Sequence, residues 1–265
     1  MASHPRGHSE RPARGLGLTL TLSALAGIPE VAACDDLGRL IADAAPPDLA
    51  DSDVIVVAHK VVSKAEGRTR SLADVEAGEG AQTIAASHGR DPRLVQVVLD
   101  EATEVLRAER GVLVCATRHG LVCANAGVDR SNAAPDEAVL LPLDPDASAR
   151  AIRARIAAAR GASPGIVVAD SFGRAWRIGQ VDVALGAAGI RVLDDWRGRA
   201  DAGGRELTAT HIAVGDAVAA AAELVRGKDS GEPVVLARGL ARHVTAEDGP
   251  GAAALRRPAA EDLFR

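Results

Sequence analysis

Asp129 and Asn132 lie in a run of short polar side chains, Asn125-Ala126-Gly127-Val128-Asp129-Arg130-Ser131-Asn132, which follows a candidate hairpin. Asp170-Ser171 ends the apolar run 165–169. Carboxylates and hydroxyls released at strand ends are the usual hard-oxygen ligands for Mg²⁺ or Mn²⁺ carrying nucleotide phosphates. The plainer readings are a turn residue at Asp129 and a helix or turn cap at Asp170. Lys60 and Lys64, with Ser63 beside the second, would suit a triphosphate as two point charges, or would cover a solvated turn. Gly27-Ile28-Pro29-Glu30-Val31 reads by itself as a turn into a first helix. Arg174, Trp176 and Arg177 follow Asp170-Ser171, and Arg197 and Arg199 follow Asp194-Asp195-Trp196. These arginines could bind an anionic substrate or phosphoryl charge, or form ion pairs at a dimer contact. The two tryptophans could stack on a flat ring or fill a core or interface.

Several other chemistries lack their residues. There is no G-x-x-x-x-G-K-[ST] phosphate loop and no strand–G-x-G-x-x-G–helix unit, since Gly186-x-x-Gly189 is too short. Gly161-Ala162-Ser163-Pro164-Gly165 matches G-x-S-x-G, but it follows a helix and precedes a strand, the reverse of the strand-to-helix turn of a nucleophile elbow.

The elements that must hold these groups alternate between strand and helix. Asp35 or Asp36 caps a short helix that Pro46-Pro47 ends. Residues 54–58 form a strand buried on both faces, leading into a polar segment over 59–67. Asp91-Pro92 opens a helix running to about Glu109, with Leu94, Val98, Ala102 and Val105 inward and Gly111 as its stop. Residues 112–116 and 121–126 form a hairpin turned at Arg118-His119-Gly120, which could set Cys115 opposite Cys123 as reduced core thiols. Asp144-Pro145 opens a second helix, carrying Ile152 and Ile156 and ending at Gly161. After the strand over 165–169 comes a glycine-punctuated stretch over 179–204, an Ala-rich helix over 210–226 and a strand over 233–237. The pattern predicts an α+β protein with a mixed sheet, and no repeat or long linker divides it.

Composition narrows the partners. The 265 residues carry a formal charge of −5, with 47% apolar, 25% charged and 2% aromatic residues. A core of Ala, Val, Leu and Ile follows, and neither a basic groove nor interleaved aromatics exist for nucleic acid. No apolar run reaches the roughly 18 to 20 residues of a membrane span. Three cysteines without C-x-x-C spacing fit a reducing compartment, so a cytoplasmic protein is expected.

Taken in order, the segments resemble the coenzyme F420-0:L-glutamate ligase family. The similar stretches are GIPEV (27–31), KVVSKAEG (60–67), GLVCANAGVDRSN (120–132), LLPLDPDASA (140–149), DSFGRAWRIGQVDVALGAAGI (170–190) and DWRGRADAGGREL (195–207). They span about residues 16 to 240. The resemblance implies a family-specific fold without a P-loop or Rossmann motif, in an intertwined homodimer. It implies a GTP-dependent ligase using two divalent cations, Mg²⁺ or Mn²⁺, with K⁺ as a stimulant. In that reaction the γ-phosphate of GTP activates the terminal carboxylate of coenzyme F420-0, and the amine of L-glutamate displaces phosphate; further glutamates add through γ-linkages. By position, Asp129, Asp170 and Ser171 would be metal ligands. Asp129, Asp170 and Lys64 would carry catalysis, and Ile28, Pro29, Glu30, Val31, His59, Lys60, Lys64 and Asn132 would contact nucleotide. A late nucleotide loop falls on residues 226–232, where an acidic metal ligand of relatives aligns with Lys228 and Asp229 or Glu232 could compensate.

Three competing readings use the same residues: a ligase for another carboxylate, a phosphohydrolase built on Asp129 and Asp170, and a nucleotide sensor without turnover. Domain organisation is expected as a disordered tail over 1–15, a catalytic domain over 16–245 and a flexible tail over 246–265. No counterpart of the flavin-dependent reductase domain fused to some relatives is expected in a chain ending at Arg265.

Overall fold

The computed structural model describes residues 19–262, so the tail expected over residues 1–15 lies outside the described residues. Strand β1 (Thr21–Ala24) opens the fold. Asp36 caps α1 (Leu37–Ala44), its carboxylate accepting from the Arg39 N–H, and the helix buries Leu37, Ile41 and Ala42. β2 (Val54–Ala58) is buried along Val54, Ile55, Val56 and Val57, on both faces as the unbroken apolar run predicts. It passes without a loop into α2 (His59–Ala65). The polar segment at this strand end is therefore a helix, held down by buried Val62, His59 and Ser63.

β3 (Thr69–Ser71) leads to α3 (Glu79–His88) and α4 (Pro92–Glu101). Asp91 caps α4, with proline in its first turn, as the sequence predicts. The helix stops at Glu101 rather than Glu109. Residues 102–109 are instead β4 (Ala102–Glu109), paired antiparallel with β5 (Val112–Thr117). Arg110 and Gly111 both take positive φ, 52° and 78°, which suits the turn of a two-residue hairpin. That pairing overrides the helical spacing of Val98, Ala102 and Val105. β6 (Val122–Ala124) completes the three-stranded sheet and sets Cys123 opposite Cys115. Both thiols are free and buried; burial pushes Cys115 up and Cys123 to about 12, aided there by the Asp170 charge. Thiols this poorly ionised are not nucleophiles at neutral pH.

β7 (Glu137–Val139) pairs with β3, and Asp144 then caps α5 (Pro145–Arg160), closed by Gly161 at φ 71°. β8 (Gly165–Arg174) and β9 (Arg177–Ala188) form a long hairpin. β8 thus runs on to Arg174 past the strand expected over 165–169, so Asp170 and Ser171 lie within the strand rather than at its end, and β9 takes the start of the glycine-punctuated stretch from Gly179. Gly186 is there because a Cβ would lie 2.1 Å from the Pro145 carbonyl oxygen, so α5 packs against bare backbone. β10 (Leu193–Asp195), β11 (His211–Ala213), α6 (Val214–Glu223) and β12 (Val234–Arg238) follow.

The main sheet has the order β1-β12-β2-β8-β9, with β2 and β8 parallel and the other neighbours antiparallel. Alternation splits β2 between two cores. Ile55 and Val57 face α1, α2 and α5, while Val54 and Val56 face α6. A third cluster binds α3 and α4 to the β4–β6 sheet. The architecture is a mixed α+β fold, and among the described residues no helix is long and apolar enough to cross a membrane. The segment from Glu247, expected to fray, is packed in part. Ala252 is buried with its N–H donating to Asp146, and Asp248 pairs with Arg153 at 2.8 Å.

Candidate functional site

Ala58 stands opposite Ala169 at the last register of the parallel β2–β8 pair, so His59 turns into α2 at the carboxyl end of β2 beside Asp170, which stays in β8 opposite Val183 of β9. Sites of parallel strands characteristically form outside that end. His59 is buried, with Nε2 3.2 Å from Asp170 Oδ1 and Nδ1 3.4 Å from Ser63 Oγ. The approach to Asp170 is off the line of a good hydrogen bond, which leaves Nε2 without a well-aligned partner. Burial alone would raise the Asp170 carboxyl. The facing His59, the Ser171 N–H and the Lys60 charge outweigh it and hold the acid below its ordinary value.

Asp129 arrives from the loop after β6. Asn125, Ala126 and Gly127 all have left-handed φ, at 53°, 52° and 74°, and a Cβ on Gly127 would strike Leu141. Such backbone persists only where its surroundings fix it, here through Arg90 donating to Asn125 Oδ1 at 2.7 Å. Lys60 Nζ pairs with Asp129 Oδ2 at 2.7 Å, and the Ser131 N–H and Oγ both donate to the carboxylate at 2.8 Å. Burial raises this carboxyl too, and Lys60 with Ser131 brings it below its ordinary value. Both acids are anionic at neutral pH. Lys64, one turn along α2 from Lys60, is bonded to Glu30 from the segment before α1.

These groups surround one solvent-open cleft of about 880 Å³. Ile28, Pro29, Glu30, Val31, His59, Lys60, Lys64, Asn132, Asp170 and Ser171 line it, together with Arg226, Gly227, Lys228, Gly231 and Glu232 from the loop before β12. Asp129 stands behind Lys60. The structure therefore brings together segments that are far apart in the chain. Arg174, Trp176 and Arg177 do not border the cleft; they lie at the far end of the β8–β9 hairpin, where Trp176 is 79% and Ile178 fully exposed. Nor do Arg197, which pairs with Asp195, and Arg199, which lies over Trp196.

A second polar cluster closes the cleft beyond Ser171. Ser171 Oγ donates to Asp182 Oδ1 at 2.6 Å, and Asp182 is wholly buried against Arg226. Glu223 accepts the Asp182 N–H at 2.9 Å and pairs with Lys228 Nζ at 2.7 Å. Neither Asp182 nor Glu223 stands out in the sequence. A lone acid between Val181 and Val183 in an apolar alternation is the available signal for Asp182.

The hard, ionised oxygens of Asp129 and Asp170 suit a divalent ion of the Mg²⁺ or Mn²⁺ type. Among the described residues, no three His, Cys, Asp or Glu side chains converge as a ready cage. A site here would draw further ligands from water or from a bound phosphate, as Mg²⁺ sites usually do.

A model of the F420-0:gamma-glutamyl ligase family matches residues 27–239. Coenzyme F420:L-glutamate ligase of Methanopyrus kandleri is 46% identical over 233 residues, 87% of this chain and 92% of its own length. The protein of the same name from Methanothermobacter thermautotrophicus is 42% identical over 250 residues, covering 93% and 99%. That from Haloarcula marismortui is 46% identical over 222 residues, covering 81% and 85%.

Proposed function

The chain belongs to the F420-0:gamma-glutamyl ligase family, and from that premise we propose that it joins L-glutamate to coenzyme F420-0 at the expense of GTP. The observation that carries this reading is one cleft where Asp170, Lys60, Lys64 and the loop over 226–232 converge, with Asp129 paired to Lys60 behind it. A free carboxylate is a poor acyl donor, because an amine would have to expel oxide. Attack of its oxygen on the γ-phosphorus of GTP, with GDP leaving, supplies a phosphate leaving group. The glutamate amine then attacks the acyl carbon, phosphate departs with the bonding pair, and the nitrogen loses a proton to leave the amide.

No protein nucleophile is needed, consistent with the suppressed cysteines. Lys60 and Lys64 balance triphosphate charge, with Ile28, Pro29, Val31 and Asn132 walling the nucleotide. Asp129 and Asp170 would hold a divalent ion, whose contribution when bound is to neutralise charge between triphosphate and carboxylate. Holding the reactants in line supplies most of the acceleration. K⁺ stimulation, a homodimer and a cytoplasmic location belong to the same reading; exposed Trp176 and Ile178 on the β8–β9 arm suit a subunit contact.

Phosphate release from GTP should require both coenzyme F420-0 and L-glutamate. Release without the amine would mark a phosphohydrolase, and GTP binding without release a sensor. Lys64→Ala should weaken the apparent GTP affinity by roughly ten- to a hundredfold, the loss of one charge-assisted contact, with little change in the KM for glutamate. An unchanged GTP affinity would remove Lys64 from the nucleotide site.

A further inference from the structure

The Ser171 end of the cleft already holds a positive charge. Lys228 Nζ lies 2.7 Å from Glu223 Oε1 and 3.7 Å from Asp182 Oδ1, and it donates to Ser171 Oγ at 2.5 Å. Two carboxylates and a hydroxyl converging on one point form a surrounding that suits a cation, and here the cation is an ammonium. We propose that Lys228 is a resident cation in this chain, filling the place between Ser171, Asp182 and Glu223 so that nucleotide is bound with one divalent ion rather than two. This rests on the nucleotide and metal reading of the cleft given above.

Three features support it. First, the charges there are already matched: Asp182 by Arg226 and Glu223 by Lys228. A further divalent charge would be placed against two cations. Second, the Ser171 hydroxyl is committed, giving its proton to Asp182 while accepting from Lys228. Third, an ammonium has three donors and no lone pair, so Lys228 cannot ligate a metal and can only stand in for one. Two donors are taken by Glu223 and Ser171, which leaves one for an anion in the cleft. The Lys228 side chain is 63% exposed, so that N–H is open to a bound phosphate.

On this proposal the divalent ion expected beside Asp129 and Asp170 is kept and the one expected at Ser171 is replaced by the ammonium.

The test is a count of bound Mn²⁺ per chain by electron paramagnetic resonance of the free ion. The titration is run at a saturating non-hydrolysable GTP analogue, with the analogue alone as blank. The wild-type chain should hold one ion, and Lys228→Glu and Lys228→Ala should each hold two. Two ions in the wild type would overturn the proposal, as would one ion in both folded variants. No Mn²⁺ in the wild type, with the analogue bound, would overturn the metal reading beneath it as well. The wild-type and Lys228→Ala counts decide the question if Lys228→Glu does not fold.

Discussion

Asp170→Asn is expected to leave a folded protein whose glutamate-dependent turnover falls by roughly a thousandfold or more. The substitution keeps the shape of the side chain and removes its charge. Shape is all that the fold needs there, because Asp170 caps no helix and its close side-chain partner is His59. Charge is what the chemistry needs. In the proposed reading the carboxylates of Asp129 and Asp170 would hold a divalent ion, and an amide oxygen is a much poorer ligand for Mg²⁺ or Mn²⁺. Asp129→Asn should do the same from a different position: it stands behind Lys60 and also sets that ammonium. Melting temperatures within a few degrees of the wild type would verify the folds. Near-normal turnover in either variant would remove these acids from catalysis.

Gly186→Ala should be the most damaging single-methyl change in the sheet that carries the site. The added Cβ would lie 2.1 Å from the Pro145 carbonyl oxygen and 2.2 Å from its carbon. These are backbone atoms at the start of α5, and they cannot swing aside. Asp144 caps that turn through the Ala147 N–H, and buried Asp146 accepts from the N–H groups of Ala187 and Ala252. The helix end is tied to β9 and to the C-terminal segment at once. Overpacking against fixed backbone costs about 3 kcal/mol, at the upper end of its usual range. That corresponds to a fall of roughly 6 to 12 °C in Tm for a domain of this size. Gly173→Ala is the control, since a Cβ there meets nothing within 4 Å. Equal melting of the two variants would contradict the packing described.

What the sequence discloses and what it hides follow from how local each signal is. The first half of β8 is legible because the apolar run over 165–169 is unbroken; its continuation to Arg174 is not, because Asp170, Ser171 and Gly173 become strand only by pairing with β9. Asp91-Pro92 and Asp144-Pro145 announce α4 and α5 because capping is decided within a few neighbouring residues. The end of α4 is not legible: Ala102 and Val105 continue a helical spacing, and only pairing with β5 turns them into strand. β9 is hidden by glycines, of which Gly186 serves contact with α5 rather than turning. The cleft's far end is the least legible part. Ser171, Asp182, Glu223 and Lys228 are scattered along the chain, and Asp182 and Glu223 look ordinary until the β8–β9 hairpin and the loop after α6 bring them beside the other two. The resemblance alone leads one to expect an acid where Lys228 stands; the contacts with Glu223 and Ser171 give the lysine a physical meaning.

The most direct measurement is mass spectrometry of coenzyme F420-0 after incubation with the purified protein, GTP, L-glutamate and Mn²⁺. The expected result is a series of products heavier by glutamyl units and absent when GTP is omitted. The number of units would also give the length of the tail. An unaltered F420-0 mass, from folded protein that binds GTP, would contradict the proposed reaction and direct the search to another carboxylate.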